Sequence, residues 1–199
     1  MAARTLDLLD DLVAHGRTAI TTAEAADALG IPADQVRVRM HRYVQQGRVI
    51  APARGLWVPI PPQHRVYGSL PGLEMIDLLM RHLDRDYYVG WLSAAEVHGA
   101  AHQAPQTLQV AVGAPVQDRT FGRVRLLFAV RARVADVPRE QYTAPSGRVW
   151  VATPATTLVA GGQGKPAFAP FLHHVFPHGS ALAWASATPS LGLRWTCLQ

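Results

Sequence analysis

The sequence predicts an α+β protein in two parts, a small helical unit ending in a β-ribbon and then a mixed α/β unit. Three observations predict it. Apolar residues recur at helical spacing through the first 46 residues, prolines cluster between 59 and 71, and short β-branched runs bounded by turn residues begin at 107. A chain of 199 residues has room for two small cores or one larger one. With 49% hydrophobic and 17% charged residues it is expected to fold.

The first helix is predicted over residues 2–14, where Leu6, Leu9, Leu12 and Val13 share one face and Gly16 follows as a stop. Thr21 and Glu24 have the spacing of a capping box, opening a short helix that buries Ala25, Ala26 and Leu29. Gly30 suits a tight turn that needs positive φ, and Pro32 suits the first turn of the next helix. That third helix, residues 33–46, puts Val36, Met40, Tyr43 and Val44 on one face. Gln35, Arg39, Arg42 and Gln46 lie on another, with Arg37 flanking the apolar stripe. Gly47 ends it. Arg48-Val49-Ile50 and Leu56-Trp57-Val58 then read as two strands joined through Ala51 to Gly55. Helix, short helix, turn, helix and β-ribbon is the order of a winged helix-turn-helix.

Charge agrees with that order. The net charge is +5, and from Gln35 to Gly55 there are five arginines (37, 39, 42, 48 and 54) and no acidic residue. Such a stretch suits a polyanion. On a helix in the major groove, Arg pairs with guanine and Gln with adenine. Gln35, Arg39, Arg42 and Gln46 are therefore the expected base readers. Arg37, Arg48 and Arg54 are the expected backbone contacts. A solvated charged face is the competing reading of each.

Residues 1–60 form the first predicted domain and 61–72 a linker, marked by Pro61, Pro62, Pro71 and Gly72. In the second domain, 73–159, a helix is expected through Leu73, Ile76, Leu79, Met80 and Leu83. Ser93 and Glu96 suggest a capped short helix, and strands are expected at 107–112, 124–130 and 148–152. Thr153-Pro154 signals the start of a last helix. Residues 160–199 read as an atypical tail, expected to be truncated or diverged: no acidic residue occurs from 141 onward.

Signals for chemistry are weak. Cys197 is the only cysteine, which excludes an internal disulfide and a cysteine-based zinc site. His98 and His102 are four apart without an evident third ligand, and His173, His174 and His178 form a second group. Tyr87, Tyr88 and Trp91 read as core, with stacking on a base the alternative. Asp118, Asp136 and Glu140 form no tight carboxylate motif with Lys165. The expectation is no catalytic residue, no metal and no cofactor. The acidic N-terminus lacks a secretory pattern and no apolar run approaches a membrane span, so a cytoplasmic protein without a membrane partner is expected.

Three segments carry a resemblance: Arg54-Gly55-Leu56-Trp57-Val58-Pro59, the run from Tyr87 to Gly99 (YYVGWLSAAEVHG), and Val151-Ala152-Thr153-Pro154-Ala155-Thr156-Thr157-Leu158-Val159. Together they resemble the AbiEi family, antitoxins of type IV toxin–antitoxin systems, over about residues 4–159. The resemblance implies a regulator that binds inverted repeats in double-stranded DNA near its own promoter and represses the operon. It also implies a second domain that counters a nucleotidyltransferase-type toxin. After Val159 the sequence departs from the family, with Ala160-Gly161-Gly162-Gln163-Gly164 in place of an acidic residue and further amphipathic helices. The residues themselves leave two other readings: a protein-interaction module with incidental DNA contact, and a degenerate nuclease.

Overall fold

The computed structural model describes residues 5–100 and 107–161, with side chains through 157. The first helix, α1 (Thr5–Ala14), buries Leu9 and Leu12. A two-residue strand, β1 (Ile20–Thr21), leads directly into α2 (Thr22–Leu29). The capping box at its start is complete. The Glu24 amide donates to Thr21 Oγ1 at 3.2 Å, and the Thr21 amide donates back to Glu24 Oε2 at 2.7 Å. Gly30, at φ 62°, takes the left-handed conformation that closes α2 and turns the chain into α3 (Ala33–Gln45).

Two strands follow, β2 (Val49–Ala53) and β3 (Leu56–Pro59). They pair antiparallel, and β1 adds to the outer side of β3 to give the order β1-β3-β2. This is the element order of a winged helix. Its core joins Leu9, Leu12, Ile20, Ala25, Val36, Met40, Val49 and Trp57.

The segment expected as a linker carries a 3-10 helix over Pro62–Tyr67, followed by Ser69 and Leu70, each only 1% exposed. Helix α4 (Gly72–His82) comes next and buries Met75, Ile76, Leu79 and Met80 completely. It ends in a Schellman turn: the Arg85 amide reaches Met80 O and the Asp84 amide reaches Arg81 O, with Asp84 itself at φ 50°.

The remaining elements build one mixed sheet: β4 (Tyr87–Val89), α5 (Trp91–Val97), β5 (Thr107–Val112), β6 (Arg119–Phe121), β7 (Val124–Val130), β8 (Arg139–Ala144), β9 (Gly147–Ala152) and α6 (Pro154–Gly161). The strand order is β6-β7-β5-β4-β9-β8, with β5–β7 and β4–β9 parallel and the other pairs antiparallel. Leu108 packs against the Gly72 end of α4. Gln109, on the opposite face of the strand, accepts from the Leu92 amide of α5 at 3.0 Å. Helices therefore cover both faces of the sheet.

One sequence expectation is overturned locally. Ser93 does not cap α5, whose N-cap is Gly90. The helix starts three residues earlier than the Ser-x-x-Glu pattern indicates, and Trp91 adopts φ 52°. The Ser93 hydroxyl instead donates to Thr107 O and accepts from the Gln109 amide, tying α5 to β5.

The two units share packing. Along β2 and β3 the side chains alternate. Val49 and Trp57 point into the helical core, whereas Ile50, Ala53, Leu56, Val58 and Ile60 join the core that holds Leu70, Met75, Ile76, Leu79 and Met80. All of these strand residues are under 9% exposed, so the ribbon is buried on both faces. Each large apolar side chain buried on either face contributes ~1.5–3 kcal/mol.

Candidate nucleic-acid interface

Helix α3 forms because Val36 and Met40, both 0% exposed, and the half-buried Tyr43 and Val44 fall one turn apart against α1 and α2. That seam fixes which side chains face out. Opposite it, at 100° per residue, lie Val38, Arg42 and Gln45, all exposed. Val38 is 59% exposed.

Trp57 holds β3 against the helices. Its indole Nε1–H donates to Thr22 Oγ1 at 2.9 Å, and its ring takes the edge of His41 at a centroid distance of 5.6 Å. Between α3 and the ribbon this leaves an open groove of about 380 Å³, lined by Arg37, His41, Ala51, Arg54, Trp57 and Arg119. Arg54 is exposed at the turn between β2 and β3. Arg119 comes from β6, in the second unit, and its Nη1 donates to Pro52 O. On the other side of the turn, His82 Nε2 lies 3.0 Å from Arg54 O.

The sequence-derived set is only partly brought together. Arg37 and Arg54 meet in the groove. Gln35, Arg42 and Gln46 are exposed along one flank of α3, and Arg39 between them is half-buried. Arg48 is half-buried at the foot of β2. None of Arg37, Arg39, Arg42, Arg48 and Arg54 takes part in an ion pair among the described residues. Their charge stays uncompensated at short range. Two groove residues escaped the sequence reading. His41 was legible in principle, one turn after Arg37. Arg119 was not, because 67 residues separate it from its partner Pro52.

Elsewhere the polar groups engage one another. A larger groove of about 690 Å³ lies between the end of α4 and β9, lined among others by Asp77, Arg81, Asp86, Tyr87 and Trp150. Asp77 pairs with Arg81 at 2.8 Å and accepts from Tyr87 Oη–H at 2.9 Å. Burial, then the Asp77 carboxylate, push the Tyr87 phenol far above its ordinary range. Arg139 pairs with Asp86 and lies over the Trp150 ring. Tyr87, Tyr88 and Trp91 are at most 4% exposed, which favours packing over base stacking. His98 Nε2 meets Ala152 O at 2.8 Å, while Nδ1 lies 3.6 Å from Glu140. Among the described residues no His, Cys, Asp and Glu group has metal-ligand geometry. His102, His173, His174 and His178 lie outside them. No described helix is long and apolar enough to cross a membrane.

The comparisons with known proteins bear on the second unit first. Residues 88–184 match the family model described as the AbiEi antitoxin C-terminal domain. No curated protein matches the chain. Among solved structures, the RV2827C protein from Mycobacterium tuberculosis is similar in fold, with a TM-score of 0.51 and 20% identity. The alignment covers 76% of this chain and 57% of that one, so the chain spans little more than half of that protein's length. The matched region runs from β4 to beyond α6 and includes the mixed sheet that supports the ribbon. The likeness to AbiEi antitoxins thus lies in the second unit, over residues 88–184.

Proposed function

We propose that this protein is a non-enzymatic, DNA-binding transcription regulator, the antitoxin and autorepressor of an operon whose toxin is of the nucleotidyltransferase type. The match of residues 88–184 to the AbiEi antitoxin C-terminal domain supports the antitoxin role in general; DNA binding and the toxin's class are the finer reading. One observation supports DNA binding above the rest: the exposed side of α3 and the adjoining ribbon present Arg37, Arg42, Arg54 and His41 with no carboxylate paired to them among the described residues. Such a surface is costly to keep uncompensated unless a polyanion uses it. In this reading α3 enters the major groove, with Gln35, Arg39, Arg42 and Gln46 toward base edges. Arg37, Arg48 and Arg54 grip the flanking phosphates. The partner duplex carries inverted repeats near the protein's own promoter.

Gel retardation on the DNA upstream of the protein's own gene tests this. Arg39→Ala with Arg42→Ala is expected to abolish the sequence-specific complex, each lost base contact costing about 1–3 kcal/mol. Arg37→Ala or Arg54→Ala is expected to weaken all duplexes alike and to lower the salt slope by about one. Equal retardation by wild type and the double variant would remove α3 as the reading element.

A further inference from the structure

The turn of the β-ribbon is held from both units. Arg54 and Gly55 form the tip between β2 and β3, and within the first unit the Thr22 amide donates to Gly55 O at 2.8 Å. The second unit adds two contacts, one at the tip and one just before it on β2. His82, in the last turn of α4, donates from Nε2 to Arg54 O at 3.0 Å, and Arg119 of β6 donates from Nη1 to Pro52 O. The donors come from elements 37 residues apart in sequence, whose positions are set by the shared core. The apolar flank of the ribbon is buried in that same core, so neither strand can swing without exposing Leu56 and Val58.

A second join fixes the hairpin that carries Arg119. Gly122, at φ 52°, lies against Tyr67 and Gly68 so closely that a Cβ there would stand 2.1 Å from Tyr67 O. The Arg123 amide donates to that same carbonyl at 3.1 Å, and the Arg123 guanidinium lies over the Tyr67 ring. The β6–β7 hairpin is thus fastened to the 3-10 segment, and through Arg119 to the ribbon tip.

We infer that His82 and Arg119 are positioning residues for the interface: the second unit presents Arg54 to DNA by fixing the ribbon tip, instead of leaving the tip to order on binding. This rests on the DNA-binding reading, and it adds that the antitoxin-type unit sets the geometry of the first. His82 is the cleaner test, because it is not among the residues lining the groove and its hydrogen bond to Arg54 is made to the backbone carbonyl. Ordering a loop on binding costs affinity that a preformed one keeps.

Two measurements on the full chain decide it. In hydrogen–deuterium exchange without DNA, His82→Ala raises exchange of the amides at 54–56 while α3 stays protected. His82→Gln, whose amide N–H can replace the ring donor, restores protection. Unchanged exchange in His82→Ala overturns the inference. In the DNA assay, His82→Ala weakens binding roughly 2–10-fold in the wild-type background and has no effect in the Arg54→Ala background. Equal losses in both backgrounds overturn it as well. A wild-type chain that retards no upstream duplex would instead sink the DNA-binding reading, and the exchange result would still decide whether the tip is held.

Discussion

At Glu24 the protein shows how a two-residue pattern becomes a stability term. The hydrogen bonds from the Thr21 amide and hydroxyl, helped by Arg17 3.1 Å away, hold the carboxyl below its ordinary value of 4.5. With the folded value depressed, the contribution is complete above the unfolded carboxylate value. It is lost as pH falls through the folded one. Glu24→Gln is therefore expected to destabilise the fold at pH 7 by about 0.5–1 kcal/mol for so exposed a pair. That gap should close on acidification below about pH 4, a course that thermal melts at several pH values would trace. Gly122 acts oppositely, by what it lacks. Gly122→Ala should cost at least roughly 1–2 kcal/mol from left-handed backbone alone, plus the collision with Tyr67 O. Chemical denaturation would read the loss, and an unchanged midpoint would contradict the close approach.

At the scale of elements, legibility followed locality. Helix α3 was readable because Val36, Met40 and Val44 mark its buried stripe within nine residues. Its turn was readable because Gly30 supplies the positive φ. Strand β1 was not, since two residues make no period and only the pairing of Ile20 with Trp57 defines it. Strand β8 hid for another reason: as an edge strand it leaves Glu140, Gln141, Tyr142 and Thr143 exposed, so it shows no apolar alternation. Ser93 and Glu96 share the Thr21–Glu24 pattern, yet the Ser93 hydroxyl serves Thr107 and Gln109 across the sheet, contacts that no local window contains. The set of base readers reflects the same limit. Spacing put Gln35, Arg39, Arg42 and Gln46 on one line, whereas the fold leaves Arg39 half-covered and sets His41 beside the ribbon. His41→Ala is accordingly expected to weaken DNA binding and to loosen Trp57, visible as a shift in tryptophan fluorescence without DNA.

For the whole molecule, the ribbon is the joint. Leu56 lies in the core of the second unit while its neighbour Trp57 lies in that of the first. Leu56→Ala should therefore destabilise the chain by about 2–5 kcal/mol, and both units should melt together in calorimetry. Two separated transitions would show the cores to be independent. A fragment of residues 1–60 is expected to lack cooperative unfolding, since Ile50, Leu56, Val58 and Ile60 would lie bare.

By itself the sequence determined helices α1 to α4, the capped turn and the acid-free run of arginines, because each is written in residues a few positions apart. Tertiary structure alone decided which face of the ribbon meets which core and brought His82 and Arg119 to its tip. Strand pairing and side-chain alternation say that a second face exists, but only contacts across tens of residues say what covers it.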